Sequence, residues 1–96
     1  MGIDELLKEK REEILRAAAK HGAHNVRVFG SVARGEATPA SDIDLLVQAG
    51  PETSSWFPVG LIDDLETLLG RRVDVVTEAA LHWYIRDKVL REAVPL

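Results

Sequence analysis

Residues 30–47 of the 96-residue chain read GSVARGEATPASDIDLLV and hold its densest group of chemically informative side chains. Residues 43–48 are predicted to form a strand, in which successive side chains point to opposite faces of a sheet. Asp42 and Asp44 therefore share one face, about 6–7 Å apart along the chain. The other face takes the apolar side chains of Ile43, Leu45 and Val47.

A third carboxylate has the same placement in a second valine-rich strand, predicted over 72–76. Asp74 interrupts this run of valines, although Asp is uncommon in strands. Three carboxylates on one face would repel one another by ~1 to ~4 kcal/mol per pair at ~4 Å. A divalent cation relieves that repulsion, and Mg²⁺ combines carboxylate and phosphate ligands. The acids therefore indicate a phosphoryl-transfer site, with a solvated strand face or neutralisation by arginines as the alternatives.

A short glycine-containing segment precedes the acids. Gly30 lets the backbone approach a ligand closely, and amide groups at the helix N-terminus that follows attract phosphate. The Ser31 hydroxyl can donate to a terminal phosphate or simply cap a turn. Arg34 can neutralise triphosphate charge, or it can form a salt bridge to Glu36 or to an acid in the site. Ser41 is a further candidate for nucleotide binding, with hydrogen bonding to the loop backbone as its alternative.

The rest of the chain predicts alternating helices and strands. Apolar spacing indicates helices over 3–21, 58–69 and 79–93, and valine-rich runs predict strands over 25–29, 43–48 and 72–76. This order is typical of an α/β (α+β) domain. We expect a single domain over residues 1–96, with a small mixed sheet of three or four strands and helices packed on one face.

Composition narrows the classes of protein that the chain could belong to. Twelve Lys and Arg against sixteen Asp and Glu give a net charge of −4, so we expect no direct nucleic-acid binding through charge alone. We expect no membrane association either, because no apolar run approaches the ~18 residues of a span. The absence of cysteine excludes disulfides and thiolate metal sites. A domain without such links fits the cytoplasm, where we expect the protein to act.

The central segment also resembles a known family. Its pattern, GS-x-A-R-G-x5-S-D-x-D followed by apolar residues, is similar to that of the minimal nucleotidyltransferase (MNT) domains. These are the smallest members of the DNA-polymerase-β-like nucleotidyltransferase superfamily. The resemblance extends along the chain in order, from a leading helix through the GS and D-x-D motifs to a third Asp in a β-branched strand.

This resemblance implies the nucleotidyltransferase fold, ATP as substrate and Mg²⁺ as cofactor, with two ions expected. Asp42 and Asp44 would bind the metal, and Asp74 would complete one metal site and help activate the incoming hydroxyl. Gly30 and Ser31 would hold the β- and γ-phosphates. The acceptor oxygen would then attack the α-phosphate as pyrophosphate leaves.

The small size of the chain implies a particular acceptor. Family members that modify antibiotics or transfer RNA carry extra domains, whereas small MNT proteins resemble the antitoxins of toxin–antitoxin modules. The implied partner is a HEPN-domain ribonuclease toxin in a hetero-oligomer, and the implied reaction is transfer of AMP to a tyrosine of that toxin. Neutralisation by binding alone and nucleotidyl transfer to a small molecule are the alternatives.

The remaining aromatic and histidine residues have no assigned chemistry. Trp56 and Phe57 end a polar loop predicted over 51–57, where they can pack onto the domain or anchor a partner. Trp83 and Tyr84 on the last helix present the same two alternatives, and Tyr84 is expected to be exposed. We predict surface positions without acidic partners for the three histidines, which are His21, His24 and His82.

Overall fold

A computed structural model of the chain describes residues 3–38, 40–53 and 56–96, so the predicted loop over 51–57 is described only in part. The helices are α1 (Ile3–Glu9), α2 (Arg11–Lys20), α3 (Gly30–Ala33), α4 (Val59–Leu69) and α5 (Trp83–Glu92). The strands are β1 (Ala23–Phe29), β2 (Ile43–Ala49), β3 (Val73–Thr77) and β4 (Val94–Pro95), with a 3-10 turn over Glu78–Ala80.

The four strands form one mixed sheet in the order β3–β2–β1–β4. β1 is antiparallel to both of its neighbours, whereas β2 and β3 are parallel. Parallel strands need a crossover connection, and α4 lies in the connection between these two. The predicted fold class is confirmed, with β4 as the fourth strand. Pro95 is tolerated there because β4 lies at the edge of the sheet.

One face of the sheet forms the hydrophobic core. The alternate residues of β2 that were predicted to point inward are buried, and Val73 and Val75 of β3 continue the same face. α1, α2 and α4 supply the other half of the core through Leu7, Ile14, Ala18, Leu61, Leu65 and Leu69. Because the apolar residues of each strand are fixed inward, the residues between them must point to the opposite face.

The opposite face is covered in part, at the end remote from the predicted acids. Leu46 of β2 is fully buried there. Arg27 of β1 and Glu78 of the 3-10 turn form an ion pair with Nη2 and Oε2 3.0 Å apart. Arg86 of α5 donates from Nη1 to the carbonyl oxygen of Glu78 at 2.9 Å, which fastens the first half of α5 to this turn.

The predicted helix over 3–21 is interrupted at Lys10, where the backbone (φ −98°, ψ 8°) leaves the helical conformation. Hydrogen bonds continue across the break, because Lys10 N donates to Leu6 O at 3.0 Å and Ile14 N donates to Lys10 O at 2.9 Å. Leu7 and Ile14 are both buried in the core. The prediction of one uninterrupted helix was therefore wrong, although both segments pack on the sheet.

The predicted helix over 79–93 begins later than expected, at Trp83. The Thr77 hydroxyl accepts a hydrogen bond from Ala80 N at 3.2 Å and closes the 3-10 turn, after which Leu81 and His82 are extended. Leu81, Ile85 and Val89 are the apolar residues at helical spacing in this segment, but only Val89 is buried, and Ile85 is 39% exposed. Because Leu81 and His82 have extended backbone after the 3-10 turn, the α-helix cannot begin before Trp83.

A β-bulge interrupts β1. Ala23 and His24 pair with residues 49 and 48 of β2, but Arg27 pairs with Leu46, so β1 contains one extra residue. Asn25 lies in this interval with φ +51°, a conformation that Asn adopts more readily than most residues. The bulge allows both Ala23 and Val26 to be buried.

His21 has an acidic partner, so the prediction for this histidine was wrong. Its Nε2 lies 2.7 Å from Oδ2 of Asp64 on α4, and Lys20 Nζ lies 3.6 Å from the same oxygen. The hydrogen bond with His21 lowers the pKa of Asp64. The stability that this pair contributes is present above the usual carboxylate range and is lost as the pH falls through the lowered pKa of Asp64. His24 and His82 are exposed, as predicted.

The aromatic residues divide between core and surface. Phe57 packs against the core, whereas its neighbour Trp56 is 77% exposed. Of the two alternatives, packing onto the domain therefore holds for Phe57 and not for Trp56. On α5, Trp83 is 81% exposed and Tyr84 is 68% exposed, as expected for Tyr84. Among the described residues, no helix has the length and hydropathy that a membrane span requires.

The packing of α4 predicts a stability difference between two of its residues. Leu65 is 1% exposed, so Leu65→Ala should lower the free energy of unfolding by about 3 kcal/mol. Thr67→Ala, on the exposed side of the same helix, is the control and should change it by less than about 0.5 kcal/mol. Urea unfolding measures both, and equal losses would contradict the placement of α4 on the sheet.

Candidate active site

The predicted acids lie together where β2 and β3 begin. Asp44 and Asp74 are register partners across the parallel strands, and such partners point to the same face. Asp42 precedes Asp44 by two residues, and its charge raises the pKa of Asp44, which places it within electrostatic reach. Val73 and Val75 on either side of Asp74 are buried on the core face. The structure thus places Asp44 and Asp74 on the face opposite the core, and Asp42 lies in the loop just before β2 with its charge close to Asp44.

The three acids differ in their surroundings. Asp42 and Asp74 are exposed, whereas Asp44 is partly buried between them. Burial raises the pKa of Asp44, and the charges of Asp74 and Asp42 raise it further. Arg34 acts in the opposite direction. Ionised Asp44 therefore destabilises the fold at neutral pH, and a cation at this face would offset that cost.

Gly30 is required beside Asp44 for two reasons. Its φ of +73° lies in the left-handed region, which side chains other than glycine rarely adopt. A Cβ at this position would also collide with the carboxylate of Asp44. α3 starts at Gly30, so the first turn of α3 lies directly against the partly buried acid.

Hydrogen bonds hold the segment before Asp42 against the start of β3. Arg71 donates from Nη2 to the carbonyl oxygens of Thr38 at 3.2 Å and Ser41 at 3.1 Å. Ile43 N donates to Arg72 O at 2.9 Å. These contacts position Asp42 and Asp44 relative to the strand that carries Asp74.

Glu66 of α4 supports the other strand, because its Oε2 accepts a hydrogen bond from Val73 N at 3.0 Å. This contact joins the helix of the crossover to the first residue of β3, immediately before Asp74. The backbone at both acidic strand ends is therefore anchored by contacts that do not involve the acids themselves.

Two of the predicted nucleotide-binding residues already have protein partners. Arg34 donates from Nε to Glu36 Oε1 at 2.6 Å and from Nη1 to Glu92 Oε1 at 2.5 Å. The Ser41 hydroxyl accepts from Thr38 N at 2.8 Å. Ser41 thus makes the loop-backbone contact that was its alternative, and Arg34 makes the predicted pair with Glu36.

Glu92, at the end of α5, is a residue at this site that the sequence pattern did not identify. It lies 58 residues from Arg34, and its charge raises the pKa of Asp44. No spacing rule links a carboxylate in a helix to a motif so far away. Its side chain is only 14% exposed, a degree of burial that cannot be read from the sequence.

The carboxylates of Asp42, Asp44 and Asp74 are ligands of the type that a hard divalent cation binds. Carboxylate oxygens are the ligands that Mg²⁺ prefers, and Mg²⁺ uses one or two of them while phosphate and water fill its other positions. Across residues 3–38, 40–53 and 56–96, no three His, Cys, Asp or Glu side chains already stand at metal-binding separation.

The contact between Gly30 and Asp44 predicts a difference between two glycines. Gly30→Ala should lower the free energy of unfolding by more than the roughly 1–2 kcal/mol that the left-handed backbone alone costs. Gly35→Ala is the matched control, because Gly35 has φ +74° with open space around it. Thermal or urea unfolding compares the two. An equal loss in both variants would contradict the close contact with Asp44.

The raised pKa of Asp44 predicts a pH-dependent gain in stability for Asp44→Asn in the metal-free chain. Below the usual carboxylate range, ~pH 3, both chains are neutral at this position and should be equally stable. As the pH rises through that range, the wild type bears the cost of ionisation and the variant becomes the more stable chain. Unfolding curves at ~pH 3 and ~pH 7 test this. Asp63→Asn on α4 is the exposed control, and a neutral-pH loss in Asp44→Asn would refute the cause assigned to the shift.

Comparison with known proteins places this geometry in a family. Residues 7–96 match the sequence model of the nucleotidyltransferase domain. The chain is 42% identical over 91 residues to the protein adenylyltransferase MntA of Thermococcus cleftensis, covering 90% of this chain and 92% of that protein. It is 40% identical over 88 residues to a candidate protein adenylyltransferase of Methanocaldococcus jannaschii, covering 92% and 95%.

Solved structures agree with these sequence relationships. A candidate minimal nucleotidyltransferase superposes with a TM-score of 0.85 at 51% identity, covering 96% of this chain and 94% of the other. A toxin–antitoxin structure with AMP-PNP superposes with a TM-score of 0.74 at 21% identity, covering 88% and 69%, and shares the fold. Because the family model matches residues 7–96 and both sequence relatives are at least 40% identical over nine-tenths of the chain or more, the chain belongs to the nucleotidyltransferase domain family and is a nucleotidyltransferase.

Proposed function

We propose that this chain is an Mg²⁺-dependent protein adenylyltransferase that acts as an antitoxin. It transfers AMP from ATP to a tyrosine of a partner HEPN-domain ribonuclease toxin and releases pyrophosphate. The observation that carries the proposal is the register of Asp44 with Asp74, with Asp42 two residues before and Gly30 in contact with Asp44. Relatives named as protein adenylyltransferases, aligned over nine-tenths of the chain or more, support a protein as the acceptor.

Different residues of the site bind the metal and the nucleotide in this proposal. Asp42, Asp44 and Asp74 would hold Mg²⁺, which supplies positive charge against the triphosphate when bound. Gly30 and Ser31 hold the β- and γ-phosphates through the backbone and hydroxyl of the first turn of α3, and Arg34 and Ser41 complete the nucleotide site. Catalysis then consists mainly of positioning and charge neutralisation.

The proposed chemical step is a displacement at the α-phosphorus of ATP. The tyrosine oxygen forms a bond to the α-phosphorus as the bond from that phosphorus to the bridging oxygen of the β-phosphate breaks. The hydroxyl proton passes to the Asp74 carboxylate, and pyrophosphate leaves with the electron pair. Asp74 suits this role because it is exposed, so an acceptor that approaches from solvent can reach it.

The choice of ATP and of a toxin as partner rests on the fold relative. The toxin–antitoxin structure with AMP-PNP has this fold, which supports an adenine nucleotide substrate and a toxin partner in a hetero-oligomer. The tyrosine acceptor and the HEPN ribonuclease follow from the resemblance to MNT antitoxins. An enzyme that uses ATP to silence an RNA-cutting toxin would act in the cytoplasm.

The test is transfer of AMP to the protein encoded beside this chain. The wild type, incubated with ATP, Mg²⁺ and that protein, should add the mass of one or more AMP groups to a tyrosine, as detected by mass spectrometry. Asp44→Asn and Asp74→Asn should each lower the rate about a thousandfold or more, because each removes several kcal/mol of charge stabilisation. Asp63→Asn, exposed on α4, is the control and should leave the rate unchanged.

The remaining outcomes separate the alternatives. Protection of cells from the toxin by Asp42→Asn, without AMP transfer, would replace the proposal with neutralisation by binding alone. Labelling of an aminoglycoside without a protein partner would indicate a small-molecule acceptor. Omission of Mg²⁺ or addition of a chelator should abolish transfer by the wild type, and undiminished transfer would overturn the metal dependence.

A further inference from the structure

The Arg34 guanidinium is held between two carboxylates from different parts of the chain. Glu36 is two residues away and its side chain is 59% exposed, whereas Glu92 comes from the end of α5 and is 14% exposed. Exposed ion pairs contribute little because solvent screens them, but a shielded carboxylate holds its partner more firmly. Glu92 is therefore the partner that fixes the orientation of Arg34.

This arrangement lies next to the acids. Arg34 follows the last residue of α3, and the backbone N–H of Arg34 donates to the carbonyl oxygen of Gly30 at 3.1 Å. Gly30 in turn lies against Asp44. The pKa of Asp44 responds to both partners, since Arg34 lowers it and Glu92 raises it. The backbone of Arg34 thus lies one helical turn after the glycine that contacts the partly buried acid, and the charge of Arg34 reaches that acid.

The position of Glu92 is unfavourable for a carboxylate on its own. It is the last residue of α5, where the helix dipole presents its negative end, and it lies near the negative charge of Asp44. Arg34 is the cation that offsets both effects. Glu92 is therefore better explained as a residue that orients Arg34 than as a residue that stabilises α5.

We propose that Glu92 is a positioning residue that holds Arg34 beside the acids, oriented toward the triphosphate. This inference rests on the proposed function, in which Arg34 binds the nucleotide. The two carboxylates accept from Nε and Nη1, and a guanidinium has further N–H donors on Nη1 and Nη2. Arg34 can therefore donate to phosphate oxygens while Glu92 still holds it.

A double-mutant cycle on nucleotide binding tests the inference. Calorimetry would measure the affinity of the wild type, Glu92→Gln, Arg34→Ala and the double variant for AMP-PNP with Mg²⁺. Glu92→Gln should weaken binding about three- to tenfold when Arg34 is present. In the Arg34→Ala background the same change should leave binding unchanged or tighten it, because it only removes a negative charge near the triphosphate.

Two further measurements exclude a purely structural role. Glu92→Gln should unfold at nearly the same urea concentration as the wild type, because the lost pair with Arg34 is offset by relief of repulsion with Asp44 and the helix dipole. Asp87→Ala, an exposed acid of α5, is the control and should bind AMP-PNP like the wild type. Where AMP transfer is measured, Glu92→Gln should raise KM for ATP more than it lowers kcat.

The outcomes that overturn the inference are distinct from those that overturn the proposed function. Equal weakening by Glu92→Gln with and without Arg34, or weakening that follows a loss of folding stability, would show that Glu92 does not act through Arg34. A wild type that binds no AMP-PNP with Mg²⁺ would overturn the proposed function and this inference with it. Wild-type binding with additive losses would overturn the inference alone.

Discussion

The parallel pairing of β2 and β3 is the constraint on which the rest of the molecule depends. It sets Asp44 beside Asp74, and the burial of their neighbours on the core face leaves both carboxylates on the other side of the sheet. Such a pairing costs electrostatic energy that a simple scaffold would avoid. The surrounding contacts all maintain it: α4 forms the crossover, Glu66 anchors Val73, and Arg71 holds the segment before Asp42.

The parts of this arrangement that follow from local pattern were predictable. Alternation along a strand depends only on the order of residues, so the inward face of β2 and the outward face with Asp42 and Asp44 follow from the printed sequence. The valines around Asp74 indicate its orientation in the same way. The glycine after β1 predicts a close backbone approach at this position, and the group that it approaches in the structure is the carboxylate of Asp44.

The parts that depend on contacts between distant segments were not predictable in this way. Glu92 reaches Arg34, and Asp64 reaches His21, across 58 and 43 residues that no periodicity connects. The break at Lys10 has no Gly or Pro to mark it. Glu36 as a partner of Arg34 and the loop backbone as a partner of Ser41 could be named from the sequence, because both contacts are local, whereas Glu92 could not.

The extra residue in β1 shifts the alternation of inward and outward side chains by one position between the start and the end of that strand. If the strand ran without it, His24 rather than Ala23 would point into the core, or else the stretch ending at Phe29 would be rotated by half a turn. The left-handed backbone at Asn25 absorbs this mismatch locally. Both ends of β1 therefore keep apolar side chains in the core, and Gly30, directly after the strand, still lies against Asp44.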